Sequence, residues 1–328
     1  MTSTNSTVES TNSTQMKTLY LVIACIAVVF VIASNLILLH ALMLKSEIRK
    51  NYRIEFILWL CLSDIVVGIS GLLLVCNYLI RGLSKNTHYC SLMYHFLAAG
   101  IGQSLAQTFL ICIDRHMAVV ANVSYKLFNK KYRYIVIFGT WLFMHAYVGT
   151  LVVVWMRVDH ITYCSLTSYP NHKLFLTGIN ILFLPILFAI PGLYISTIIT
   201  FKNRSRRTYH LPDLTISTVT STQTSLCPFP SIHYFEMTRI RQKYQRQVIT
   251  TIGLIVVALL FLSGPFIIIV LFLEGCGLIA VKTSTRMLFT MMAYCNSAAN
   301  PILYGWRIRK IREIVTKLFC KTSPIPQY

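Results

Sequence analysis

The sequence predicts an all-α membrane protein, a bundle of seven transmembrane helices followed by a short amphipathic eighth helix on the cytosolic face. Three observations carry this. Of 328 residues, 55% are hydrophobic and only 12% charged, about half the charged share of a soluble domain. Seven long apolar stretches can be drawn, over 18–44, 53–80, 87–121, 132–156, 174–201, 241–273 and 283–305, each at or beyond the roughly 20 residues that cross hydrocarbon. Finally, 23 of the 30 Lys and Arg residues fall on one side, in or beside 45–53, 122–133 and 202–246, at the end of the third stretch, and after 306. Loops rich in Lys and Arg stay in the cytosol. The expectation is a multi-pass plasma-membrane protein with its N-terminus outside and its C-terminus in the cytosol. The net charge of +20 then reads as topology and contact with anionic membrane lipids, with no nucleic-acid partner.

The elements follow in order. Residues 1–17 are Ser/Thr/Asn-rich, carry no signal-peptide pattern, and are expected to form a disordered extracellular tail. Sequons at Asn5 and Asn12 make that tail a glycosylation candidate; those at Asn122 and Asn203 fall inside and stay unmodified. Residues 18–305 form the seven-helix domain, with short outer loops and one long cytosolic connection at about 202–240. Within it, Thr215 to Ser231 reads as disordered and Met237 to Gln247 as a basic extension of the sixth helix. Residues 306–328 are the amphipathic helix and cytosolic tail. Ile311, Val315, Leu318 and Phe319 share one helical face, opposite Arg307, Arg309, Lys310, Arg312 and Lys317, a pattern suited to lying on a membrane surface. Cys320 at its end is placed for palmitoylation. Of the ten cysteines, Cys25, Cys61, Cys76, Cys112 and Cys295 lie within spans. Cys90, Cys164 and Cys276 fall on the outer face, where disulfides persist; Cys276 has no obvious partner.

Polar groups at membrane depth need partners, because hydrocarbon offers none. The last stretch ends in Asn300-Pro301-Ile302-Leu303-Tyr304 and presents Asn296 and Ser297 just before it. Asn296 and Asn300 are four apart and share a helix face. Asp64 sits mid-way along the second stretch and Ser104 along the third. Asp64 facing this group would have oxygen donors suited to a small hard cation, or to a proton with water. A neutral, hydrogen-bonded Asp64 that ties helices together accounts for the residues equally well. Asp114-Arg115, at the cytosolic end of the third stretch, could pair locally, or Arg115 could reach the interface. Asn35, Trp141, Pro185, Pro191 and Pro265 are individually more often packing than function.

Taken in order, Ser34-Asn35, Leu60 to Asp64, Cys90 with Arg115 twenty-five residues on, Asp114-Arg115-His116, Trp141, Cys164, Pro265 and Asn300 to Tyr304 resemble the rhodopsin-like (class A) G-protein-coupled receptors over about 18–320. The resemblance implies a Cys90–Cys164 disulfide pinning the second outer loop to the third helix. It implies an allosteric sodium pocket at Asp64, Ser104, Asn296, Ser297 and Asn300, and no required cofactor. It implies an activation switch built from Asp114, Arg115, Pro265, Asn300, Pro301 and Tyr304, with His116 in place of the usual tyrosine. Tyr304 and Arg115 would rearrange as the sixth helix swings outward and opens a groove for a heterotrimeric G protein.

The departures are specific. Leu262-Ser263-Gly264-Pro265 replaces the family's Cys-Trp-x-Pro, so Ser263 stands where the toggle tryptophan would be. Gln245 stands where some members carry a glutamate that pairs with Arg115, which would raise basal activity. Tyr194 follows Pro185 by nine residues instead of eight. Leu97 replaces the aspartate of amine receptors and Tyr294 the retinal-bearing lysine of opsins. What remains is an extracellular small molecule, lipid or short peptide in a cavity lined by Tyr94, His95, Leu97, Gln103, Phe266 and Tyr294, although packing alone would also explain each of these. A receptor-like protein with atypical, constitutive or non-productive coupling is the alternative. A transporter would show inverted repeats or broken half-helices, which are not seen. An enzyme would need a catalytic cluster, and the nine histidines make no metal-ligand spacing.

Overall fold

The computed structural model describes residues 3–44, 52–80, 82–120, 130–155, 163–166, 169–210, 231–307, 311–314 and 316. Its elements are α1 (Ser3–Leu44), α2 (Tyr52–Leu79), α3 (Thr87–Val120), α4 (Lys130–Trp155), α5 (His172–His210), α6 (Ser231–Leu262) and α7 (Thr283–Arg307), with a 3₁₀ turn at Leu83–Lys85. There is no strand among the described residues. Helices satisfy their own backbone, which is the condition for crossing lipid.

Six of these helices are long and apolar enough to span a membrane. The seventh apolar stretch drawn from the sequence, now α7, falls short of that measure because Arg286, Asn296, Ser297 and Asn300 dilute it. The helices also run past the stretches drawn from the sequence. α1 begins at Ser3, where the tail was expected to be disordered, since extending an existing helix avoids the cost of nucleation. α5 runs to His210 and α6 starts at Ser231, which narrows the connection expected at 202–240. The Thr215–Ser231 stretch lies outside the described residues but for Ser231. Residues 311–314 are helical, with Ile311 and Ile314 buried in the core and Arg312 and Glu313 exposed. Val315, Leu318, Phe319 and Cys320 lie outside the described residues, as do the side chains of Asn5 and Asn12.

α3 is the central helix. Of its most apolar window 72% is buried, against 28% for α1 and for α4, whose outward Ile, Val, Leu and Phe side chains form a lipid-facing belt. Small residues let neighbours close on it. A Cβ on Gly102 would meet Met144 Sδ of α4 at 2.7 Å and the Phe183 ring of α5 closer still. Pro185 and Pro191 lie inside α5 and Pro301 inside α7. Past Leu262, Pro265 opens a π-helical stretch, Phe266–Leu273. A proline that donates no hydrogen bond and crowds the preceding turn favours such widening. Cys90 of α3 is disulfide-bonded to Cys164 in the segment before α5.

Candidate functional site

Three polar or hollow regions follow one another along the bundle axis. The middle one is built around Asp64 of α2, which is fully buried. Ser104 Oγ of α3 donates to its Oδ1 at 2.9 Å, and Asn300 Nδ2 of α7 donates to its Oδ2 at 2.8 Å. Asn35 of α1 joins from behind, donating to the Ser297 carbonyl at 3.1 Å and to that of Val31 at 2.9 Å. Four helices thus meet on one carboxylate and its neighbours. The Oδ1 atoms of Asn296 and Asn300 are buried without a hydrogen-bond partner. A void of about 10 Å³ lies beside Asn296, lined also by Ser104, Ser263 and Ser297, close to the least space that holds one water-sized particle. The hydroxyls of Ser104 and Ser297 and the amide of Asn296 border this void, whereas Asp64 and Asn300 do not line it. Ser263 therefore belongs to the edge of this group.

Toward the ends of α5 and α6 nearer the 202–240 connection, Arg115 is ion-paired with Asp114, both buried. Arg115 also lines a narrow crevice with Cys112, Tyr194, Thr197, Ile249 and Ile252, so α3, α5 and α6 are closed together here. His116 Nδ1 lies 3.2 Å from Thr197 Oγ1, a direct α3–α5 bond. Tyr194 reaches α6, its hydroxyl seated where a Cβ on Gly253 would have to go. Tyr304 is buried with its hydroxyl unpartnered, so it makes no hydrogen bond to Arg115 in this arrangement.

At the opposite end, near the disulfide, a cavity of about 360 Å³ opens among α1, α2, α3, α5, α7, the π stretch and residues 164–166. Tyr94, Leu97, Phe266 and Tyr294 are among the residues that line it. His95 and Gln103 do not; this is a correction. Both turn to α4, where His145 Nδ1 lies 3.3 Å from His95 Nε2. Hydrogen-bond complementarity assigns the Gln103 amide with its oxygen toward Trp141 Nε1 at 3.0 Å and Gln107 Nε2 at 2.7 Å and its nitrogen toward the Thr140 carbonyl at 3.1 Å. α3 is buried on most of its surface and carries polar residues toward more than one neighbour, Ser104 to α2 and Gln103 and His95 to α4. Its sequence therefore does not announce which of them faces the cavity. The cavity wall is largely aliphatic and aromatic. Among the described residues its one charged lining side chain is Arg286, held by Glu274 in a two-pronged ion pair, with Nε to Oε2 at 3.3 Å and Nη2 to Oε1. The sequence reading missed this pair, because charges at the ends of apolar stretches are ordinary. Their twelve-residue separation across one short loop was the available signal. At the cavity floor Tyr294 Oη and Ser70 Oγ are 3.2 Å apart. Ile101 lines both this cavity and the small void below.

Seven helices around a buried carboxylate, with a cavity at one end and a closed arginine crevice at the other, define a multi-pass membrane protein of the seven-helix receptor class. The family described as "7 transmembrane receptor (rhodopsin family)" matches residues 34–304, and the chain belongs to it. Sphingosine 1-phosphate receptor 3 of Takifugu rubripes is 23% identical over 304 residues, covering 89% of this chain and 70% of that receptor.

Proposed function

We propose that this G-protein-coupled receptor responds to an extracellular apolar or amphiphilic small molecule, lipid-like in character, and transmits its binding to a heterotrimeric G protein. The observation that carries this is the cavity, whose wall is apolar apart from hydroxyls and one arginine already neutralised by Glu274. A wall of that kind rewards burial of hydrocarbon and offers little to a hydrophilic amine or peptide. The name of the Takifugu relative, which specifies a phosphorylated lipid as its ligand, is consistent with that reading.

On this reading the cavity faces outside, the Arg115 crevice faces the cytosol, and the protein resides in the plasma membrane, glycosylated at Asn5 and Asn12 and lipidated at Cys320. Ligand contact with Phe266 and Tyr294 biases two states of α6 and α7. Release of Tyr194 from Gly253 and of Arg115 from its crevice lets α6 swing and opens a groove for a Gα helix. Asp64, Asn296 and Asn300, supported by Ser104 and Ser297, would hold a sodium ion that neutralises the buried carboxylate and favours the closed state. The second reading, a receptor that does not couple productively, draws on Ser263. A hydroxymethyl group beneath the cavity cannot relay ligand contact by the swing of a large ring.

The test is a stabilisation screen of the purified receptor against amphiphilic lipids, biogenic amines and short hydrophilic peptides, read by thermal unfolding and therefore independent of coupling. Lipids should raise the midpoint. Stabilisation by amines or peptides alone would overturn the ligand class. G-protein nucleotide exchange driven by the same hits separates productive from non-productive coupling.

A further inference from the structure

α3 and α4 share a polar seam that the receptor mechanism does not use. At its end nearer the disulfide, His95 and His145 face each other with rings tilted at 45° and centroids 5.4 Å apart. Trp141 stacks on His145 at 5.6 Å and 22°. Gly149 lies against the other ring, where an added Cβ would stand 3.6 Å from His95 Cε1, an ordinary van der Waals contact. Trp141, His145 and Gly149 stand four residues apart on one face of α4, the face that meets His95. Both rings are half-buried.

We infer that His95 Nε2 and His145 Nδ1 form a two-imidazole site for a borderline transition-metal ion, zinc in particular, clamping α3 to α4. The geometry is close to that of a metal chelate. Two nitrogens at about 2.05 Å from a tetrahedral zinc stand about 3.3 Å apart, and these two nitrogens are 3.3 Å apart now. The nitrogen spacing need not change; each ring turns by about 35° to aim its lone pair beside the line joining them, at a tetrahedral metal. In the present pair one facing nitrogen carries the shared proton. That ring passes its proton to its other nitrogen, so both bind as neutral imidazoles and no proton is lost. Among the described residues no third His, Cys, Asp or Glu converges on a metal-sized point, so water completes the coordination.

Depth allows access. Arg115 lies twenty residues along α3 from His95, about 30 Å of helix and about the thickness of the hydrocarbon core. With Arg115 at the cytosolic boundary, as proposed above, His95 sits at the outer one, within reach of extracellular ions.

The test uses the full chain in lipid nanodiscs with zinc chloride alone. Wild type should bind one zinc ion saturably, with magnesium failing to compete because it prefers oxygen ligands. His95→Gln and His145→Gln should each weaken binding at least about tenfold, and the double variant no further than the singles, since a chelate is lost with either arm. Unchanged affinity in both single variants, or no saturable binding at millimolar zinc, overturns the site. Should a variant misfold, zinc X-ray absorption on the loaded wild type decides. Two imidazole nitrogens near 2.0 Å support the site, and oxygen or sulfur ligands alone refute it. The binding test stands whether or not the ligand class or coupling proposed above is right.

Discussion

Asn300 donates its amide to Asp64 Oδ2 at 2.8 Å, joining α7 to α2 across 236 residues of chain. The same carboxylate accepts from Ser104 at 2.9 Å. Asn300→Ala would leave one carboxylate oxygen buried without its donor, at a cost of about 1–3 kcal/mol, and should lower the thermal midpoint visibly. Asp64→Asn keeps the shape but removes the charge. If Asp64 holds sodium, the wild type should melt higher in sodium chloride than in a large organic cation at equal ionic strength, and the Asp64→Asn variant should show no such difference. Retention of the sodium effect in that variant would remove the cation from the site.

How much of this was legible in the sequence depends on what each residue costs in lipid. Asp64, Ser104, Asn296 and Asn300 stood out because hydrocarbon penalises an unpartnered polar group, so their convergence was nearly forced. Gln103 and His95 were legible as polar residues but aimed wrongly, because α3 has polar residues on several sides and its rotation is decided by packing against Met144 and Phe183. The His95–His145 contact spans 50 residues and depends on the relative register of α3 and α4, which no local pattern records. The same holds for Tyr194. Its irregular spacing from Pro185 gave no register, whereas the structure seats it on Gly253.

The disulfide yields a second prediction. Cys90 and Cys164 close a loop with a sequence separation of 74, for which chain-entropy arguments give up to about 4 kcal/mol. The cavity wall includes Cys164, Ser165 and Leu166, so Cys90→Ala should lower the midpoint and weaken ligand binding together. Unchanged binding with a lowered midpoint would show that the loop does not shape the cavity.

Gly253 is a third test. An added methyl would occupy the place of the Tyr194 hydroxyl, so Gly253→Ala should push α6 from α5 at the Arg115 end. On the proposed mechanism this raises ligand-independent nucleotide exchange several-fold, and combining it with Tyr194→Ala should return exchange toward the Tyr194→Ala level. Low exchange in Gly253→Ala with a normal midpoint would sink the idea that this contact holds the receptor closed. It would also favour non-productive coupling.

Glu274 and Arg286 divide the ligand question cleanly. Their side chains are 8% and 16% exposed, so removing one partner strands the other in a partly dry setting, a loss of about 3–5 kcal/mol where burial is complete and less here. Glu274→Gln keeps a hydrogen-bonding partner but frees the positive charge at the cavity wall. For a ligand bearing an anionic head this should tighten binding, whereas Arg286→Ala should weaken it by about tenfold or more, as expected when a charged hydrogen bond is lost. For a neutral apolar ligand both variants should bind within a few-fold of wild type after correction for stability. Competition binding across the two variants with one lipid hit distinguishes these outcomes. Opposite signs assign the head to Arg286, and parallel small changes leave the pair a purely structural tie between the end of the π stretch and α7.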